Sequence, residues 1–201
     1  MRIKTEKHIA EIDPWEYFLP VLNSEKDAKI FVKKARGNRN SRIIVHQCAR
    51  MLYLADKIHQ QGRPAFDVLF FIIIAEAAAK IKFNYTGERD SKKYVYKFFE
   101  NILNEEEKDK LEKSFIKYPS EKLQKDAYLS LKEVVALLYK VRCDIVHRGV
   151  YFDIIFFNDN PDDDNIIFQW KIKQSVSPKI STNDLRKIIL KGVIRACEIE
   201  N

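Results

Sequence analysis

The stretch Val68–Ala79 (VLFFIIIAEAAA) constrains the fold more than any other part of the chain. Its apolar residues run nearly all the way round a helix and leave no polar side for solvent, so other elements have to surround it. A membrane span needs about 20 apolar residues. This run is shorter and carries Glu76. The expectation is therefore a buried helix at the centre of a bundle, with amphipathic neighbours.

Those neighbours can be read along the chain. Asp13-Pro14 predicts a helix start, with Asp as N-cap and Pro at the first position. Ser24 caps a helix running to about Arg36, which Gly37-Asn38 ends. Asn40 or Ser41 opens a long helix to about Gln61, with Ile44, Cys48, Met51, Leu52, Ala55 and Ile58 at helical spacing. After a turn at Gly62-Arg63-Pro64, the apolar helix takes Ala65–Phe83. Asn84–Asp90 is a loop, followed by helices over Ser91–Leu103 and Asn104–Lys117. Asn104 caps the second of these, with Glu105, Glu106 and Glu107 in its first turn.

Tyr118-Pro119-Ser120 interrupts the pattern, and Asp126 is the expected cap of the next helix. Its stripe is Leu131, Val134, Val135, Leu138, Val141 and Ile145, and Gly149 is placed to close it. The period then falls from 3.6 to 2. Val150–Phe157 and Ile166–Lys173 read as two arms of a hairpin with an acidic tip, Asn158–Asn165. Ser181 or Thr182 caps a last helix, Asn183–Ile199. The expected class is mainly α, a helical bundle with a β-hairpin inserted before the C-terminal helix. One domain over 1–201 accommodates a basic helical extension (1–40), a helical core (41–149), the hairpin (150–174) and the final helix (181–200).

Cys48, Cys143 and Cys197 are too few and too scattered for a disulfide framework or a zinc site built from CxxC pairs. Reduced thiols in a cytoplasmic setting are the expectation. The first residues, MRIKTEKHIAEIDPWEYF, lack the apolar core of a signal peptide.

Charge is unevenly placed. Between Ser24 and Arg63 ten Lys/Arg face three acids, a difference equal to the net +7 of the whole chain, so the remainder balances to zero. A confined basic zone suits a polyanion such as RNA. Lys33, Lys34, Arg36, Arg39 and Arg42 are its candidate contacts, against the plainer reading of a solvated helical face. His46 and His59 lie on the same long helix and are expected to be solvated or packed rather than catalytic.

The candidate working site is Arg142–His147, within Leu138–Tyr151 (LYKVRCDIVHRGVY). Arginine, four residues and histidine stand at the end of an amphipathic helix. Arg142 offers a fork of donors to phosphate oxygens. His147 can exchange a proton near neutral pH. Asp144 is within reach to orient His147 or to bind Arg148, and Arg148 extends the basic end of the site. Glu76 is a candidate partner for Arg142 or, at i,i+4, for Lys80. The structural alternative is a last helical turn whose cations only complement the helix dipole.

This segment resembles the R-x(4–6)-H motif of the HEPN superfamily, and an Apea-like, abortive-infection member is the type it suggests. The resemblance covers roughly Ser41 to Gly149 and rests on the one motif. It implies RNA cleavage by 2′-OH transesterification, with no metal or cofactor, in a toxin or phage-defence setting. It also implies a homodimer, with an antitoxin or nucleotidyltransferase as a further partner. Residues five apart on a helix point about 140° from each other, and two facing copies of the motif would bring an Arg of one chain to the His of the other. Cys143 stands where family members more often carry Asn, Asp or His. Gly149 stands where some family toxins carry a modifiable tyrosine, so that regulation is not expected. A catalytically silent module binding RNA, a nucleotide or a protein is the second expectation, and a purely structural helical protein the third. Phosphate-loop, dinucleotide, zincin and serine-hydrolase motifs are all absent from the sequence.

Overall fold

A computed structural model of the chain describes residues 12–59, 65–87, 89–119, 127–149, 168–171 and 174–197. It begins with a 3₁₀ helix, Pro14–Val21, which buries Phe18 against Phe31 with ring centroids 4.9 Å apart. Asp13 and Pro14 do start a helix, in the tighter 3₁₀ form.

α1 (Glu25–Arg36) starts where Ser24 Oγ accepts from the Asp27 N–H at 3.1 Å. Glu25 and Asp27 lie at its positive end, and Lys33, Lys34 and Arg36 at its negative end. α2 (Arg39–Ile58) is capped by Asn38, whose Oδ1 accepts from the Ser41 N–H at 3.0 Å. The cap is thus neither Asn40 nor Ser41, because the chain turns from α1 into α2 within two residues. α2 ends at Ile58, three residues before the expected Gln61, since His59 leaves the helical conformation.

α3 (Ala65–Lys82) is the apolar helix and sits as its sequence requires. It packs against α2 on one side and, further along the chain, against α4 (Ser91–Lys97), α6 (Leu131–Arg148) and α7 (Thr182–Cys197). Phe71, Ile72, Ala75 and Ala79 are almost wholly removed from water. Each large side chain buried in this way contributes about 1.5–3 kcal/mol.

Further boundaries differ from the sequence expectation. α4 passes into a π turn at Phe98–Ile102 instead of continuing as one regular helix. That turn buries both Phe98 and Phe99 in the core. α5 (Glu105–Lys113) has the expected Asn104 cap, with Asn104 and Glu107 bonded reciprocally, but stops at Lys113 rather than Lys117. Phe115–Pro119 instead forms a strand, β1, and Ala127–Tyr128 a short second strand, β2, and the next helix starts later than expected, the proposed cap Asp126 lying outside the described residues. Ser130 is the cap, its N–H and Oγ both donating to Glu133 Oε2 at 3.0 and 2.9 Å.

The β-pair before the last helix is β3 (Phe168–Lys171) with β4 (Gln174–Pro178). One expected arm therefore pairs with the strand that follows it, with Phe168 opposite Val176. The other expected arm, Val150–Phe157, and the acidic tip lie outside the described residues. β4 also pairs with β1, Ile116 opposite Ser177, giving an antiparallel sheet of order β2-β1-β4-β3. β1 is a strand because a distant segment completes it. Its local pattern, Leu111 and Phe115 four apart, reads as helix.

Ser181 caps α7, its Oγ accepting from the Asp184 N–H at 3.0 Å. Gly192 is required in α7, since a Cβ there would stand 2.5 Å from Phe98 Cζ and 2.8 Å from Leu103 Cδ2.

Candidate functional site

α6 carries the arginine–histidine motif in its last two turns. Val134, Val135, Leu137, Leu138 and Val141 are buried and hold the helix in the core. Gly149 closes it in the left-handed conformation, φ 65°, where its N–H is bonded back to Ile145 O at 3.2 Å.

The two motif residues point different ways, as five residues on a helix require. Arg142 turns toward α3. Its guanidinium lies 3.8 Å from Glu76 Oε2, while the other carboxylate oxygen takes Lys80 Nζ at 2.8 Å. Glu76 thus binds both candidate partners, and its side chain is only 13% exposed. The Arg142 Cζ stands 5.7 Å from the centre of the Tyr139 ring. Its Nε is buried with no hydrogen-bond partner.

His147 is exposed, beside the half-exposed Val146, and has no hydrogen-bond or ion-pair partner among the described residues. Asp144 is buried and does not meet it. One carboxylate oxygen accepts from Arg148 Nη1 at 3.2 Å and the other from Lys140 Nζ. Of the two roles the sequence left open for Asp144, the structure places it with Arg148.

Cys143 is half-buried, Cys48 and Cys197 are buried, and none of the three is joined in a disulfide. Its neighbour one turn back is Tyr139, which the sequence reading missed although the i,i+4 spacing is visible there. Burial pushes the Tyr139 phenol up, and the adjoining Cys143 and its hydrogen bond add to this. Tyr139, Arg142, Cys143, Glu76 and Lys80 therefore form one polar seam between α3 and α6.

Lys33, Lys34, Arg36, Arg39 and Arg42 lie elsewhere, on α1 and α2, and all are exposed. α2 and α6 each pack on α3 and make little contact with each other. Among the described residues none of the five, nor Arg50, has an acidic partner. His46 sits among them, half-buried. Burial and the charges of Arg36, Arg50 and Arg42 hold its imidazole below the ordinary range.

A second feature escaped the sequence reading. His59 Nδ1 lies 3.0 Å from Oδ2 of Asp67, a buried carboxylate in the first turn of α3. The dyad joins the end of α2 to the start of α3. Burial raises the Asp67 carboxyl and the bond to His59 opposes that. Nothing in the sequence between the two residues signals the pairing.

No helix of the described residues is long and apolar enough to cross a membrane. No protein-family model, curated protein or solved structure matches the chain.

Proposed function

We propose that the chain is an endoribonuclease of the HEPN type, cutting single-stranded RNA as a homodimer through Arg142 and His147. The observation that supports it most directly is the state of the motif at the end of α6. Among the described residues His147 is exposed and uncommitted, and Arg142 has an unmet buried donor and a loose, 3.8 Å hold on Glu76. A cation bonded firmly to its neighbours would have little left for a substrate.

In this reading the ribose 2′-oxygen bonds to the adjacent phosphorus as the bond to the 5′-oxygen breaks, leaving a cyclic phosphate and a free 5′-hydroxyl. The His147 imidazole takes the 2′-hydroxyl proton, and solvent water protonates the departing 5′-oxygen. Arg142 neutralises charge on the non-bridging oxygens. Because the two side chains diverge on one helix, a single chain does not complete the centre. The second copy brings His147 of one chain to Arg142 of the other. A cytoplasmic toxin or phage-defence protein, with an antitoxin or nucleotidyltransferase partner, is the setting such an activity fits.

A non-catalytic RNA-binding module is the second reading, favoured by the Glu76 contact, which gives Arg142 a structural use. Cleavage of single-stranded RNA in EDTA separates the two. On the first reading the wild-type dimer cuts, and His147→Ala and Arg142→Gln each lose at least about a hundredfold. If all three proteins bind RNA alike and none cuts it, the catalytic reading is wrong.

A further inference from the structure

The cations of α1 and α2 are arranged rather than merely plentiful. Arg42, His46 and Arg50 follow one another at four-residue intervals, about 6 Å of rise each. Arg39 lies three residues before Arg42 on the same side, and Arg36 comes in from the last turn of α1. Arg42 and Arg50 stand one helical turn either side of His46 on α2, and Arg36, Arg39, Arg42 and Arg50 are all exposed. The charged groups that act on His46 are Arg36, Arg50 and Arg42, and none of them is acidic. α2 also has no acid in its first turn.

Like charges so close repel, and no acid among the described residues pairs with them. The apolar side of α2 (Ile44, Val45, Cys48, Leu52) is buried in the core, so this helix has nothing to insert into a lipid surface. Guanidinium forks match phosphate oxygens in pairs. Their spacing is on the scale of successive nucleotides.

We propose that Arg36, Arg39, Arg42 and Arg50, along the exposed side of α1 and α2, form a phosphate-tracking surface for single-stranded RNA, separate from the motif on α6. The choice of RNA rests on the activity proposed above, whereas the arrangement of cations does not. The surface sets how tightly the strand is held, and α6 sets whether it is cut.

The test uses full-length His147→Ala protein, a fluorescent 20-nucleotide oligouridylate and anisotropy across a series of salt concentrations. Each phosphate contact with a single strand contributes about 0.7 to the slope of log affinity against log salt. Adding Arg42→Gln and Arg50→Gln should flatten that slope by about 1.4. Lys113→Gln, which removes an exposed lysine paired with Asp109, should leave it unchanged. The His46 imidazole, followed by proton NMR, should titrate at higher pH once the oligonucleotide is bound. An unchanged slope and affinity in the double variant overturns the proposal. So does binding to phosphatidylserine vesicles or to poly-glutamate that is tighter than binding to RNA and lost with the same two arginines. The two proposals fail separately. A flattened slope with no cleavage by the wild type removes only the ribonuclease, and cleavage with an unaltered slope removes only this surface.

Discussion

The C-terminal end of α6 and the exposed side of α1 and α2 are built from the same residue types but balance their charge in opposite ways. At α6 the cations have acids: Glu76 serves Arg142 and Lys80, and Asp144 serves Lys140 and Arg148. Among the described residues of this helix end, His147 is left over. On α1 and α2 the arginines have no acid among the described residues and press on His46 instead. The difference teaches where each region's cost falls. The α6 seam is a structural ion-pair network in which one site is held partly open, so removing a member should unsettle the fold. The α2 surface carries self-repulsion that no acid of the described residues relieves, so removing a member should unsettle binding.

The largest expected effect that tests this contrast is on stability. Glu76→Gln leaves Arg142 and Lys80 facing each other in a seam that is mostly shielded from water. It should cost about 2–3 kcal/mol in urea unfolding, somewhat less than for a fully buried pair. A loss below about 0.5 kcal/mol would mean that the seam is not a network. Asp144→Asn comes next, at about 1 kcal/mol, because its partners are more exposed and can turn to solvent. On the other side, Arg42→Gln should change stability by less than about 0.5 kcal/mol, and toward a gain. A cost equal to that of Glu76→Gln would erase the distinction between the two regions.

The smallest effect is a pH dependence. The folded state holds His46 below its unfolded value, so between the two the unfolded chain binds more protons. Stability should therefore fall as pH drops below about 6.5, and His46→Gln should flatten that fall. An unchanged profile would show that neither burial nor the arginines hold the imidazole down.

Much of the bundle was legible because its signals are local. Ser24, Asn104 and Gly149 act on their own helix ends, and α3 declares its central place by having no polar side. What escaped was whatever depends on distant pairing. β1 looks like the end of a helix until β4 arrives some sixty residues later. The second expected hairpin arm finds its partner in Gln174–Pro178, a polar run with weak strand character. The site divides in the same way. Arg142 and His147 stand out by spacing, and Tyr139 could have been found one turn before Cys143. The Glu76 contact was one of two options until α3 and α6 were placed together. The His59–Asp67 bond depends on how the end of α2 meets the start of α3, which residue order does not reveal.

The central claim is that the working centre is shared between two chains, Arg142 of one acting with His147 of the other. Mixing the two inactive variants tests it directly. Arg142→Gln and His147→Ala chains, unfolded together and refolded at equal concentration, should form mixed dimers in which one of the two centres is intact. Cleavage in EDTA should then return to about a quarter of the wild-type rate, since half the dimers are mixed and each has half its sites. If the mixture stays as inactive as its components while the wild type, treated alike, recovers its activity, the centre is not shared in this way and the account of α6 is wrong.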